Sequence, residues 1–270
     1  EDAEMKDDEA ESKEAESEEK KEEEKEPEKP KELELDAEED SRAKITEPVF
    51  CNEYDSTLNA CVSEGQMLTG LSYEGFGHLN AGIRANQGVK SGRYYFEIKC
   101  IETVNNHHRQ SRSVPTTVIN VGFSTLEGDC LFGQAHTVGF NQEGDFLNGT
   151  KSARGKAKKF SLNSSVGILL NLVEGHENFN TISMFREGIR CSEPMKIPEE
   201  LAGKTLYPTV NYKNAAVICN FGAMPLWKEL PFKVTQIAHA AAEDAETSSF
   251  LRPAGKCEVV LPVGLPEKGG

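Results

Sequence analysis

The sequence predicts an all-β fold, a two-sheet antiparallel β-sandwich behind a disordered acidic N-terminal tail. Three observations predict it. Between Phe50 and Phe221 the chain is cut into short apolar stretches separated by Gly, Asn, Asp and Ser. From Arg93 to Ile101 it alternates, with Tyr94, Phe96, Ile98 and Cys100 on one side and Tyr95, Glu97, Lys99 and Ile101 on the other. That is the period of a strand with one face on a core and the other partly wet. No helical period interrupts the region, and turn signals such as Gln142-Glu-Gly-Asp145, Asn148-Gly149 and Arg186-Glu-Gly188 recur through it.

In chain order, residues 1–45 form the tail. The first 40 residues hold 22 Asp/Glu and 7 Lys/Arg, a net of −15, which equals the formal charge of the whole 270-residue chain. The folded part is therefore neutral. A segment so poor in large apolar residues cannot offset its chain entropy and is read as disordered, a solvated linker or an acidic arm for basic partners. Residues 46–227 are the sandwich domain, with strands expected at 58–63, 66–71, 82–85, 93–101, 116–123, 137–140, 166–172, 181–186, 206–211 and 216–221. Residues 228–255 read as a linker, with an Ala-rich stretch at 234–245 able to form a short helix. Residues 256–270 begin another apolar strand. The chain starts at Glu1 rather than Met and is read as a fragment.

Composition narrows the function classes. The seven cysteines show no C-x-x-C spacing, so metal ribbons and thioredoxin-type motifs find no support. Their odd number suits a reducing compartment. No apolar run approaches the ~20 residues of a membrane span, and no membrane partner is expected.

Gly88-Val-Lys-Ser-Gly-Arg-Tyr-Tyr-Phe-Glu resembles the signature of SPRY domains, as do Val121-Gly-Phe-Ser-Thr125 and the glycine-bearing stretch from His136 to Gly149. Val166-Gly-Ile-Leu-Leu170, Ile182-Ser-Met-Phe-Arg-Glu-Gly188, Leu206-Tyr-Pro-Thr-Val210 and Cys219-Asn-Phe-Gly222 continue the series in order. The resemblance implies a bent, SPRY-like sandwich whose loops at one end bind a protein or peptide. The acidic leader and Cys257-Glu-Val-Val with Gly264-Leu-Pro are similar to the heterogeneous nuclear ribonucleoprotein U (scaffold attachment factor A) family. That resemblance implies a nuclear parent binding RNA outside this stretch and acting in RNA processing or chromatin scaffolding, with a P-loop domain after the sandwich. Gly264 and Gly269 have P-loop spacing, but Gly270 stands where the Lys belongs and Lys268 comes two residues early. No bound cofactor is expected here, because the helix that completes a phosphate cradle does not follow. Relatives usually carry an aromatic at Asn80, so a contact built on that ring does not transfer.

Candidate partner-binding residues are Tyr73, Phe76, His78 and Arg84 in a glycine-flexed stretch, and Phe132, Gln134 and His136 in a second loop. Aromatics and Arg are the side chains that anchor interfaces, although Phe76 and Phe132 also suit packing between sheets. Residues 151–159 carry five positive charges in nine residues, Lys151, Arg154, Lys156, Lys158 and Lys159. They form either a solvated loop or a non-specific phosphate grip, since no aromatics are interleaved for base stacking. His107 and His108 are adjacent and face opposite ways in an extended chain, a poor metal pair. Cys130 near His136 lacks the helix end that would activate a thiolate, and Asn148-Gly149 suits a tight hairpin. The leading expectation is a non-catalytic interaction module. The alternatives are direct RNA or DNA binding through the basic run, or a nucleotide-dependent parent enzyme.

Overall fold

The computed structural model describes residues 32–37, 40–71, 74–103 and 117–250. Of the earlier expectations, the first 31 residues, Tyr73, His107, His108, Gly264 and Gly269 lie outside these ranges.

The alternating stretch becomes the central strand of one of two packed sheets. In chain order the strands are β1 (Cys51–Ser56), β2 (Ala60–Ser63), β3 (Met67–Gly70), β4 (Ala81–Ala85), β5 (Gln87–Val89), β6 (Gly92–Thr103), β7 (Val118–Ser124), β8 (Thr137–Asn141) and β9 (Phe146–Asn148). They continue with β10 (Lys151–Ala153), β11 (Ser165–Leu172), β12 (Thr181–Arg186), β13 (Ile189–Arg190), β14 (Met195–Lys196), β15 (Tyr207–Lys213), β16 (Ala215–Asn220) and β17 (Ala245–Thr247). Sheet I runs β1-β4-β15-β7-β8-β9-β10, and sheet II runs β13-β12-β11-β6-β16-β3-β2 with β14 also on β12. The strand pairings are antiparallel. Each strand expected between residues 58 and 221 is present within two residues at either end, and the one expected in residues 256–270 lies outside the described residues.

The core lies between the sheets. Phe96 of β6 meets Phe123 of β7 edge-on, with ring centroids 5.3 Å apart, and tilts against Phe221 at 5.9 Å. Tyr94, Ile98 and Cys100 of β6, Ile168 and Leu170 of β11, and Val121 of β7 complete that layer. Asn148 and Lys151 close the β9–β10 hairpin around Gly149, whose φ of +55° the tight turn requires.

Two flanks differ from expectation. Residues 228–250 of the supposed linker belong to the domain: Phe232, Ile237, Ala240 and Ala241 are buried, and β17 pairs with β5. The Ala-rich stretch makes one 3-10 turn, Ile237–His239, instead of a longer helix. Small alanines let the chain lie close, and the Ala241 N–H donates to Tyr94 Oη at 3.1 Å. Leu226, Leu230 and Val234 cover Tyr95, Leu169, Phe185 and Phe232, so one end of the outer face of sheet II is dry where β6 was read as partly wet. Residues 32–37 and 40–45, expected as the end of the tail, lie against the domain. The Ala37 N–H donates to Lys233 O at 2.9 Å and the Ile45 N–H to Ala240 O at 3.0 Å.

Candidate partner-binding surface

The surface starts from three glycines on the outer face of sheet I. On β4, β7 and β8, Gly82, Gly122 and Gly139 leave a shallow trough, with Gly122 opposite Gly139. Residues 125–136 fold back into it. A Cβ on Gly82 would fall 2.5 Å from Cys130 O, and one on Gly139 would fall 2.7 Å from the Phe132 ring. At Gly82 and Gly139 the loop occupies the space a side chain would need, and at Gly122 a Cβ would fall 2.2 Å from Val138 O of the neighbouring strand.

Arg84, two residues along β4 on the same face, holds that loop from below. Its guanidinium donates to both oxygens of Asp55 (2.7 and 2.9 Å), to Ser124 Oγ (2.7 Å) and to the Gly128 carbonyl. Arg84 is 2 % exposed. The expectation of a partner-facing arginine is therefore corrected, because its donors are engaged inside the fold. Phe132 is likewise buried at 9 % exposure, filling the trough. Gln134 stands exposed on the same loop. His136 is half-buried with φ +66°, its Nδ1 3.8 Å from Glu127 Oε2. Burial pushes the Cys130 thiol up to about 11, so at neutral pH it is a protonated apolar side chain rather than a thiolate.

At the start of β4 a 3-10 helix, Glu74–His78, presents Phe76 at 43 % exposure with His78 and Asn80 exposed beside it. The turn is tied down: the Leu79 N–H donates to Phe76 O (3.0 Å), and Asn214 Nδ2 donates to Gly77 O (3.1 Å). Leu79 is also exposed, and so are Leu58 and Leu71 on the neighbouring turns. The Thr57 N–H donates to Gly82 O and the Leu71 N–H to Asn59 O, at 2.9 and 3.0 Å. Thus Phe76, Leu79, Leu58 and Leu71 form an apolar edge on backbone bonded into the end of the sandwich. Sequence reasoning identified Phe76 and missed the leucines, since Leu58 was read as the first residue of a strand that begins at Ala60.

The basic run lies at the opposite edge of sheet I, on β10 and the loop after it. Lys151, Arg154, Lys156, Lys158 and Lys159 are exposed. Lys159 pairs with Glu143, and the Gly155 N–H donates to Asp145 Oδ1 at 3.0 Å. Acidic side chains thus answer part of the positive charge. Among the described residues no three His, Cys, Asp or Glu side chains converge as a metal site, and no helix is long and apolar enough to cross a membrane.

No family model matches the chain. A mouse protein described as heterogeneous nuclear ribonucleoprotein U-like protein 2 is 26 % identical over 208 residues, 74 % of this chain and 26 % of that protein. The chain thus spans about a quarter of that relative's length. Among solved structures, the SPRY domain of human HERC1 is similar over 64 % of this chain and 99 % of its own, at 18 % identity and a TM-score of 0.46.

Proposed function

We propose that this chain carries a SPRY-type, non-catalytic interaction module from an RNA-associated nuclear ribonucleoprotein of the U type. Its sandwich holds a short protein segment at the end built around β4. The single observation that carries the reading is the apolar edge of Phe76, Leu79, Leu58 and Leu71, exposed on hydrogen-bonded backbone beside the glycine trough. Exposed apolar side chains on backbone held by hydrogen bonds suit an interface. The seven motif segments and the similarity to the mouse U-like protein support the wider assignment. RNA contact belongs to the parent, because residues 41–270 carry no net charge and the acids of residues 32–40 only add negative charge, while nucleic-acid binders show a basic footprint.

Selection of displayed peptides on the immobilised full chain tests this. Selected peptides should bind F76S/L79S about tenfold or more weakly, and bind K156E/K158E as they bind the wild type. Undiminished binding to F76S/L79S would move the interface elsewhere. Labelled RNA titrated at two salt concentrations provides the second arm: tight, salt-steep binding abolished by K156E/K158E would favour direct nucleic-acid binding by the sandwich.

A further inference from the structure

Two guanidiniums are buried on the outer face of sheet II, away from the surface just described. Arg93 of β6 lies 5.8 Å from the Phe232 ring centroid, and Arg190 of β13 lies 4.8 Å from that of Phe185. Each side chain is 6 % exposed. Cations so placed are strongly unfavourable without carboxylate partners.

The partners come from residues 32–37. Glu32 Oε1 accepts from Arg190 Nε and Nη2 at 2.9 and 2.6 Å. Glu34 Oε2 accepts from Arg93 Nη1 (3.1 Å) and Asn171 Nδ2 (3.2 Å), and its Oε1 accepts from Asn178 Nδ2 (2.9 Å). Asp36 Oδ1 accepts the Lys233 N–H at 2.7 Å. Every second residue is read, and each reader is a donor. The leucines between them face water: Leu33 is 48 % and Leu35 72 % exposed. A segment held by apolar burial would turn those leucines inward. This one is held by its acids and by two backbone bonds, Asn178 Nδ2 to Leu33 O and the Ala37 N–H to Lys233 O, each at 2.9 Å. A groove of about 530 Å³, lined by Leu35, Asp36, Arg42, Arg93, Tyr94 and His176, runs alongside the Leu35–Ala37 end of this segment.

We propose that the Arg93–Arg190 face is a receptor for extended acidic segments with Glu-x-Glu-x-Asp spacing on a partner protein, and that residues 32–37 occupy it in cis until such a segment displaces them. The site is distinct from the apolar edge at β4, so it goes beyond the proposed function. Tethering gives the cis segment a millimolar effective concentration. A free peptide therefore competes poorly with it, and binds well once Glu32 and Glu34 of the chain are neutralised.

The test uses the full chain and a fluorescein-labelled peptide, Glu-Leu-Glu-Leu-Asp-Ala, followed by anisotropy. The E32Q/E34Q variant should bind the peptide about tenfold or more tightly than the wild type does. Adding R190M should abolish the gain, and the reordered peptide Glu-Glu-Leu-Leu-Asp-Ala should bind about tenfold more weakly. A folded E32Q/E34Q chain with no saturable binding overturns the proposal, as does equal affinity for both peptides. A wild-type dimer in light scattering that dissociates in E32Q/E34Q assigns the face to a second copy, and also overturns it. Hydrogen exchange on the wild type decides independently of whether the variant folds. Saturating peptide should speed exchange of the Ala37 amide and leave β11 unchanged, and an unaltered Ala37 rate sinks the idea.

Discussion

Asp244 gathers the two flanks of the domain at one carboxylate. Its side chain is 6 % exposed, and it accepts from Arg42 Nη1 (3.0 Å) and Nη2 (2.8 Å), Ser91 Oγ (2.6 Å) and Tyr94 Oη (2.6 Å). Burial by itself would raise its pKa, but the donors Arg42, Ser91 and Tyr94 outweigh burial and hold it below the usual 3.8. Burial, then the nearby Asp244, push the Tyr94 phenol upward, so it stays a donor throughout the neutral range. The sign follows from linkage. A carboxyl with a depressed folded pKa stabilises the fold fully above its unfolded value, and that stabilisation is lost as pH falls through the folded value. Asp244→Asn should cost about 2 kcal/mol at pH 7, the worth of charge-assisted bonds. Urea denaturation should show the gap between wild type and variant closing as the pH drops below about 4. A gap that stays constant down to pH 2 would mean the lost stability is packing and not charge.

Glycines decide how the elements fit. A Cβ at Gly167 of β11 would fall 1.7 Å from Tyr95 Oη and 2.1 Å from its ring. Tyr95 has nowhere to move, since Phe185 and Phe232 close over it. Gly167→Ala should therefore cost about 3 kcal/mol by overpacking. Combining it with Tyr95→Ala should cost less than the sum of the two single changes, because the clash goes with the ring. Strict additivity in urea melts would show that the strand pair relaxes by another route. The same logic shows what could be read from the chain alone. The long strands were legible because six or more residues carry a period of two. Strands such as β5, β9, β13, β14 and β17, two or three residues long, carry no readable period. The fate of Arg84 was hidden because Asp55 and Ser124, which engage it, come from β1 and β7. Phe132 read equally as contact or packing, and only its burial against the side-chain-free Gly139 decides for packing. The arginine pair on sheet II was invisible for a related reason: Glu32 and Glu34 look like any other acids of a charged leader.

At the scale of the whole molecule, composition separates an acidic leader from a neutral domain, but the fold draws the boundary elsewhere. Around the flanks, Lys44 bridges to Ala241, the Ala242 N–H donates to Ala43 O at 2.8 Å, and the Ser248 N–H donates to Asn86 O at 2.8 Å. The chain before β1 and the chain after β16 thus pair with each other on the sandwich. The chain after β16 closes Tyr94 and Tyr95 from opposite faces of β6, through Ala241 on one side and Phe232 on the other. Removing both flanks would delete the buried Phe232 and Ile237, each worth about 1.5–3 kcal/mol, uncover Tyr95, Leu169 and Phe185, and leave Arg93 and Arg190 without carboxylates. The loss compares with the whole stability of a typical domain, about 5–15 kcal/mol. Residues 46–227 alone should melt well below residues 32–250, or fail to fold cooperatively, as followed by thermal circular dichroism. Residues 32–250 should keep the midpoint of the full chain, because each contact named above is retained. Equal midpoints for 46–227 and 32–250 would show that the flanks rest on a sandwich that is stable without them.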